Sequence, residues 1–127
     1  MNINFKKLDH LQICIPPGME DKAREFYTTI LGLTEIPKPA QLLVNGGLWY
    51  QIADIQLHIG TDNIITKSKA HPAFEISDVA AARNYLEANL VITQNEIHVD
   101  GQERFSFRDP FGNRVELLER TNKKEHT

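Results

Sequence analysis

A chain of 127 residues is one domain's length, and its 41% hydrophobic and 24% charged content is ordinary for a soluble globular protein. A net charge of −3 supplies no basic field for nucleic acid or an anionic membrane surface, and no apolar run reaches the ~18 residues of a membrane span. Cys14, the single cysteine, excludes an internal disulfide; with no signal-peptide core in Met1–Lys7, the expected compartment is the cytoplasm.

In chain order, residues 8–15 alternate as a strand: Leu11, Ile13 and Ile15 face one way, His10, Gln12 and Cys14 the other. Pro16-Pro17-Gly18 ends it. A helix is predicted over about 19–31, with Ala23, Phe26, Tyr27, Ile30 and Leu31 at helical spacing and Gly32 terminating it. A short strand at 33–36, a proline-spaced loop through Pro37 and Pro39, and strands at 48–53 and 55–60 follow. In the last, Ile55, Leu57 and Ile59 share one face, Gln56 and His58 the other.

The polar stretch 61–69 is expected to be a linker, and then the pattern restarts. His71-Pro72-Ala73-Phe74-Glu75-Ile76 is a strand; Ser77 or Asp78 caps a helix to about Ala88, with Val79, Ala82 and Leu86 inward. Strands are expected near 91–99, 103–108 and 114–119, with Phe105 and Phe107 packed under the second helix. Between the last two, Asp109-Pro110-Phe111-Gly112-Asn113 is a tight turn, with Gly112 and Asn113 both suited to positive φ. Beyond it Val115 and Leu117 share one face of the strand, and Arg114, Glu116 and Leu118 the other. The tail, 121–127, is expected to fray.

The order strand–helix–strand–strand–strand thus occurs twice, predicting an α+β fold of two βαβββ modules, 1–60 and 70–120, in one domain. Sixty-one positions separate His10 from His71, and 58 separate His58 from Glu116. Each half offers one polar residue on its first strand and one on its last, which two like-folded halves would bring together. Imidazoles and a carboxylate at one point make a divalent-metal site suited to Zn, Ni, Mn, Co or Fe(II). Four protein ligands would close a structural zinc, whereas an octahedral ion would keep two positions open. The bland alternative is that these histidines face one way by chance.

Four stretches resemble one family: Leu8–Ile13, the helix end Phe26–Leu33, His71–Ile76, and Asp109–Leu117. The resemblance is to the vicinal oxygen chelate superfamily, which includes glyoxalase I, fosfomycin-resistance proteins, bleomycin-binding proteins and extradiol dioxygenases. It covers nearly the whole chain and implies paired βαβββ modules in a curled mixed-sheet cup with a metal at its base. His10, His71 and Glu116 fall at the family's ligand positions. His58 falls at the fourth, which is typically Glu in glyoxalase I, so the chain departs from that enzyme.

The expected function is a divalent-metal-dependent enzyme of lyase or isomerase, thiol transferase or dioxygenase type, acting on a small oxygen-chelating substrate. Glu116 is the candidate for proton transfer. The alternative is a non-enzymatic, bleomycin-resistance-like binding protein. Trp49 and Gln51 are candidate substrate contacts, and so is Arg114, whose competing role is an ion pair with a carboxylate such as Glu75. Cys14 shares His10's parity, with simple packing as its default; His98 and His126 have no assigned partner. Open sheet edges make a homodimer the expected partner state, with or without exchange of modules between subunits.

Overall fold

The computed structural model describes residues 1–63 and 68–121. The middle of the expected linker (64–67) and the expected frayed end (122–127, with His126) lie outside the described residues. The chain divides into two compact units, Met1–Ile65 and Thr66–Thr127. Each is a βαβββ module, so the α+β class and the internal repeat predicted from spacing are what the structure contains. Among the described residues no helix is long and apolar enough to cross a membrane.

In the first unit, β1 (His10–Ile15), β2 (Thr34–Ile36), β3 (Leu48–Ile52) and β4 (Ile55–Thr61) form a mixed sheet in the order β1-β4-β3-β2. β1 runs parallel to β4 because a helix carries the chain back between β1 and β2, while the tight connection at Ala53-Asp54 makes β3 and β4 antiparallel. Register sets Leu11 beside Leu57, Ile13 beside Ile59, Tyr50 opposite Leu57 and Leu48 opposite Ile59. The other face carries the rows Gln12–His58–Trp49 and His10–Gln56–Gln51.

The first helix departs from a regular α-helix. Only α1 (Glu20–Arg24) is α-helical; Glu25–Ile30 continues as π-helix, closed by Leu31 N–H to the Phe26 carbonyl at 2.9 Å. The wider turn buries the adjacent Phe26 and Tyr27 together, ring edge to face at 5.0 Å, and Tyr27 meets Tyr50 at 6.0 Å. The proline-spaced loop is also more ordered than expected, holding a 3₁₀ helix at Ala40–Asn45.

In the second unit, β5 (Ala73–Glu75), β6 (Thr93–Asn95), β7 (Gln102–Arg108) and β8 (Arg114–Arg120) repeat the topology as β5-β8-β7-β6. Helix α2 (Val79–Ala88) starts at Asp78, whose Oδ1 accepts from Ala81 N–H at 3.0 Å, so that of the two cap candidates, Ser77 and Asp78, the structure takes the second. Glu119 Oε1 accepts from Val79 N–H at 3.0 Å and ties β8 to the same helix end. Phe105 and Phe107 are fully buried opposite Leu117 and Val115, on the face that α2 covers, with Arg83 above the Phe105 ring. Burying each such aromatic contributes on the order of 2–3 kcal/mol.

One expectation here needs correction and a second is narrowed. The strand predicted over 91–99 shortens to Thr93–Asn95, because Glu96 turns toward Arg114 and Ser106. In the turn after β7, of the two residues suited to positive φ it is Gly112 that takes it, at 96°, so there the expectation is narrowed rather than overturned. Asp109 organises that turn: its Oδ1 accepts from Phe111 and Asn113 N–H, and its Oδ2 from the Asn113 amide.

Candidate functional site

Glu116 sits near the start of β8, with Ala73 of β5 on one side and Ser106 of β7 on the other. Alternation turns it away from the α2 face, and its side chain is 6% exposed. An ionised carboxylate there needs compensation. Arg104, two residues from Ser106 on the same face of β7, provides it. Its Nε donates to Oε2 at 2.9 Å and its Nη2 to Oε1 at 3.2 Å, while Nη1 donates to the Ile97 carbonyl at 2.6 Å. The Arg104 hydrogen bonds hold the Glu116 carboxyl below the ordinary carboxylate range; the bond from His71 adds to this, and burial opposes it.

His71 lies just before β5. Its Nδ1 is 2.7 Å from the Lys69 carbonyl, which can only accept, so Nδ1 carries the hydrogen. In the neutral ring Nε2 is then bare, and it stands 3.3 Å from Glu116 Oε1. Two lone-pair atoms facing one another call for positive charge, from a proton on the ring or a cation at the pair. Cis ligands on an ion with bonds near 2.1 Å lie about 3 Å apart, so this pair fits a divalent ion.

In the first unit, His10 and His58 stack at 4.0 Å, and His58 lies parallel to the Trp49 indole at 3.9 Å and 4°. The cross-strand register produces this: Trp49 is directly opposite His58, and His10 reaches it along β1. Asp9 Oδ2 accepts from His10 Nδ1 at 2.8 Å, which leaves His10 Nε2 as the free donor atom. His58 differs. Its Nε2 donates to Gln56 Oε1 at 2.9 Å, and burial, with the neighbouring His10 second, lowers its pKa. A cleft of about 530 Å³ opens over this face, lined by His10, Trp49, His58, Gln12, Lys38 and Asn45 among others.

The remaining candidates are committed elsewhere in the fold. Gln51 is exposed, and its amide donates to the Ala53 and Ile55 carbonyls, closing the β3–β4 turn. Arg114 is ion-paired, to Glu96 at 2.6 Å rather than to Glu75. Cys14 is half-buried on β1, and His98 meets Asp100 at 3.1 Å on the surface. Taken unit by unit, the predicted ligands come as two pairs, His10 with His58 and His71 with Glu116. Among the described residues no group of three or more His, Cys, Asp or Glu has the geometry to hold a metal. Sequence reasoning missed Arg104 and Glu96; same-face parity with Glu116 was the only available signal for Arg104.

The sequence pattern of the Glyoxalase/Bleomycin resistance protein/Dioxygenase superfamily matches residues 7–117. The chain belongs to this superfamily. A solved structure from Bacillus anthracis, assigned to the glyoxalase family, is 34% identical, covering 95% of this chain and 100% of its own at a TM-score of 0.89. The genomically encoded fosfomycin resistance protein of Listeria monocytogenes is 18% identical (95% and 98% covered, TM-score 0.75). A glyoxalase/dioxygenase from Nostoc punctiforme is 20% identical (96% and 99%, TM-score 0.74). These two likenesses establish the fold. No curated protein sequence matches the chain. Members of the superfamily commonly use divalent metal ions, bind small-molecule substrates and often form dimers.

Proposed function

We propose that this member of the superfamily is a divalent-metal-dependent enzyme acting on a small oxygen-chelating substrate, with His10, His71 and Glu116 as the ion's ligands. The observation that carries the reading is the His71–Glu116 pair, a ring nitrogen 3.3 Å from a carboxylate oxygen, a spacing that two ligands of one ion would share. The Asp9–His10 pair supports it, because an outer carboxylate on Nδ1 is the usual device for orienting a ligating imidazole. His58, whose Nε2 is spent on Gln56, is proposed as a flanking residue that could join only through Nδ1. The native ion is one of Zn, Ni, Mn, Co or Fe(II), all compatible with nitrogen and carboxylate donors.

A bound divalent ion would supply Lewis-acid stabilisation of negative charge developing on substrate oxygen. The chain's own residues do the rest. Arg104 keeps the Glu116 carboxylate ionised, the form in which it could accept a proton from substrate. The half-exposed Trp49 ring offers a flat wall for the substrate, while Gln51 and Arg114 act by holding the turn and Glu96 in place. The proposed assembly is a homodimer, supported by the edge strands that each sheet has, β1 and β2 in one and β5 and β6 in the other. Metal analysis of untagged protein, followed by titration with each candidate ion, tests the reading. One equivalent of bound ion is expected; no ion and no binding would overturn it.

One observation favours a second reading, a non-catalytic small-molecule binder: the cleft over the Trp49–His58 stack lies wholly within the first unit. A binder of this kind keeps its ligand affinity in His71→Ala, whereas the enzyme does not.

A further inference from the structure

Lys38 is half-buried, and among the described residues its ammonium meets no carboxylate. It donates to the Gly46 carbonyl, which engages one of its three N–H groups. Pro37 and Pro39 flank it and stiffen the backbone that carries it. A charge drawn out of water and left unpaired calls for a counter-charge.

That ammonium lines the first-unit cleft of about 530 Å³, and the hollow has a cause in the sequence. The face of β4 that carries Gln56 and His58 continues to Gly60, which has no side chain to fill it. Gln12 leans over this gap: a Cβ on Gly60 would lie 2.5 Å from the Gln12 amide nitrogen. The Gln12 amide itself makes no hydrogen bond among the described residues. Asp9 is the one acid among the lining residues, and it is held by His10. What the cleft leaves for a ligand is therefore one positive charge with amide donors around it.

The wall beside these donors is flat. His58 lies between His10 and Trp49, parallel to both, with ring centroids 4.0 and 3.9 Å away. Trp49 ends this stack of three rings and is half-exposed where it lines the cleft. A planar ligand gains contact there that a puckered ring of the same size does not.

We propose that the cleft binds a planar monocarboxylate, an aromatic or conjugated acid, with its flat part against Trp49 and its carboxylate on Lys38 and the Gln12 amide. One ammonium matches one negative charge, whereas a phosphate dianion would need a second cation. The proposal rests on the small-molecule-binding reading of this cleft and adds the ligand class to it. It uses no metal ion and no residue of the second unit.

Trp49 is the only tryptophan of the chain, so its emission reads the cleft directly. The full chain, in EDTA at low salt, is titrated with benzoate, benzamide and cyclohexanecarboxylate. Free N-acetyltryptophanamide controls for collisional quenching. Benzoate is expected to saturate and to bind about tenfold tighter than benzamide, the worth of a charge-assisted hydrogen bond. It should bind about threefold or more tighter than cyclohexanecarboxylate, the worth of ring stacking. Lys38→Met keeps the apolar stem and should bring benzoate and benzamide near parity, while Lys38→Arg keeps most of the ratio. Benzoate without saturation, equal affinity for either of the other probes, or an undiminished ratio in Lys38→Met would overturn the proposal. Should Lys38→Met not fold, the three affinities of the unaltered protein decide, together with the loss of benzoate affinity on adding salt. Benzamide saturating where benzoate does not would overturn the ligand class alone and leave the binding reading standing; the metal-dependent reading is decided separately, by ion titration.

Discussion

His71 Nε2 stands 3.3 Å from Glu116 Oε1, with the His71 hydrogen committed to the Lys69 carbonyl on the far side of the ring. A cation at this pair needs the bare nitrogen. His71→Ala is therefore expected to weaken Mn(II) or Co(II) binding by more than about a hundredfold, beyond the usual loss for an outer-shell partner. Without metal the variant should lose less than about 1 kcal/mol, since the Arg104 bond to Glu116 survives. Isothermal titration and urea unfolding of the same samples check both halves, and unchanged ion affinity would remove His71 from the ligand set.

Asp9 acts one step further out. It sits at the surface and contributes little to stability, but it fixes which nitrogen of His10 carries the hydrogen. Asp9→Asn should lower ion affinity about 10- to 100-fold with the melting temperature almost unmoved. A titration curve that superimposes on that of the unaltered protein would show that His10 needs no orienting partner, or is no ligand.

Glu20, in the first turn of α1, accepts a hydrogen bond from Gly47 N–H at 2.9 Å, and this bond is the main reason its carboxyl titrates below the ordinary value. The sign follows from linkage. The unfolded chain binds the proton more readily, so the contribution is fully present above the unfolded pKa and disappears as pH falls through the lower folded one. Unfolding free energy measured from pH 6 downward should therefore decline less steeply below pH ~4.5 in Glu20→Gln than in the unaltered protein. At neutral pH the variant should cost about 1 kcal/mol. Parallel pH profiles for the two proteins would remove Glu20 from the acid response.

Gly47 and Gly18 separate two costs of a side chain at positive φ. Both adopt it, at 86° and 83°, but a Cβ on Gly47 would lie 2.1 Å from the Ile59 carbonyl oxygen, while one on Gly18 meets nothing within 4 Å. Gly18→Ala should lose about 1 kcal/mol, the backbone penalty alone. Gly47→Ala should lose about 3 kcal/mol or more, since β3 and β4 must separate to admit it. Similar midpoints for the two in urea would contradict the close approach of these strands.

Much of this protein is legible in its amino-acid sequence. Period-two alternation assigns faces to β1, β4, β7 and β8 correctly, because side-chain direction in a strand depends only on position along it. The Asp109–Asn113 turn and the Asp78 cap are equally legible, since each is built from residues a few positions apart. The π-helical continuation at Glu25–Ile30 is not. Its cause is the joint burial of Phe26 and Tyr27 against partners distant in sequence, such as Tyr50.

The candidate site divides along the same line. His10, His58, His71 and Glu116 can be nominated from parity, and all four lie within residues 7–117, the span that the superfamily pattern matches. What each one touches is decided only by tertiary structure. Strand register puts Trp49 flat against His58 and brings Arg104 within reach of both Glu116 oxygens. A shift of two residues keeps every face and changes every partner, so a sequence that specifies which way a side chain points does not specify what it meets there.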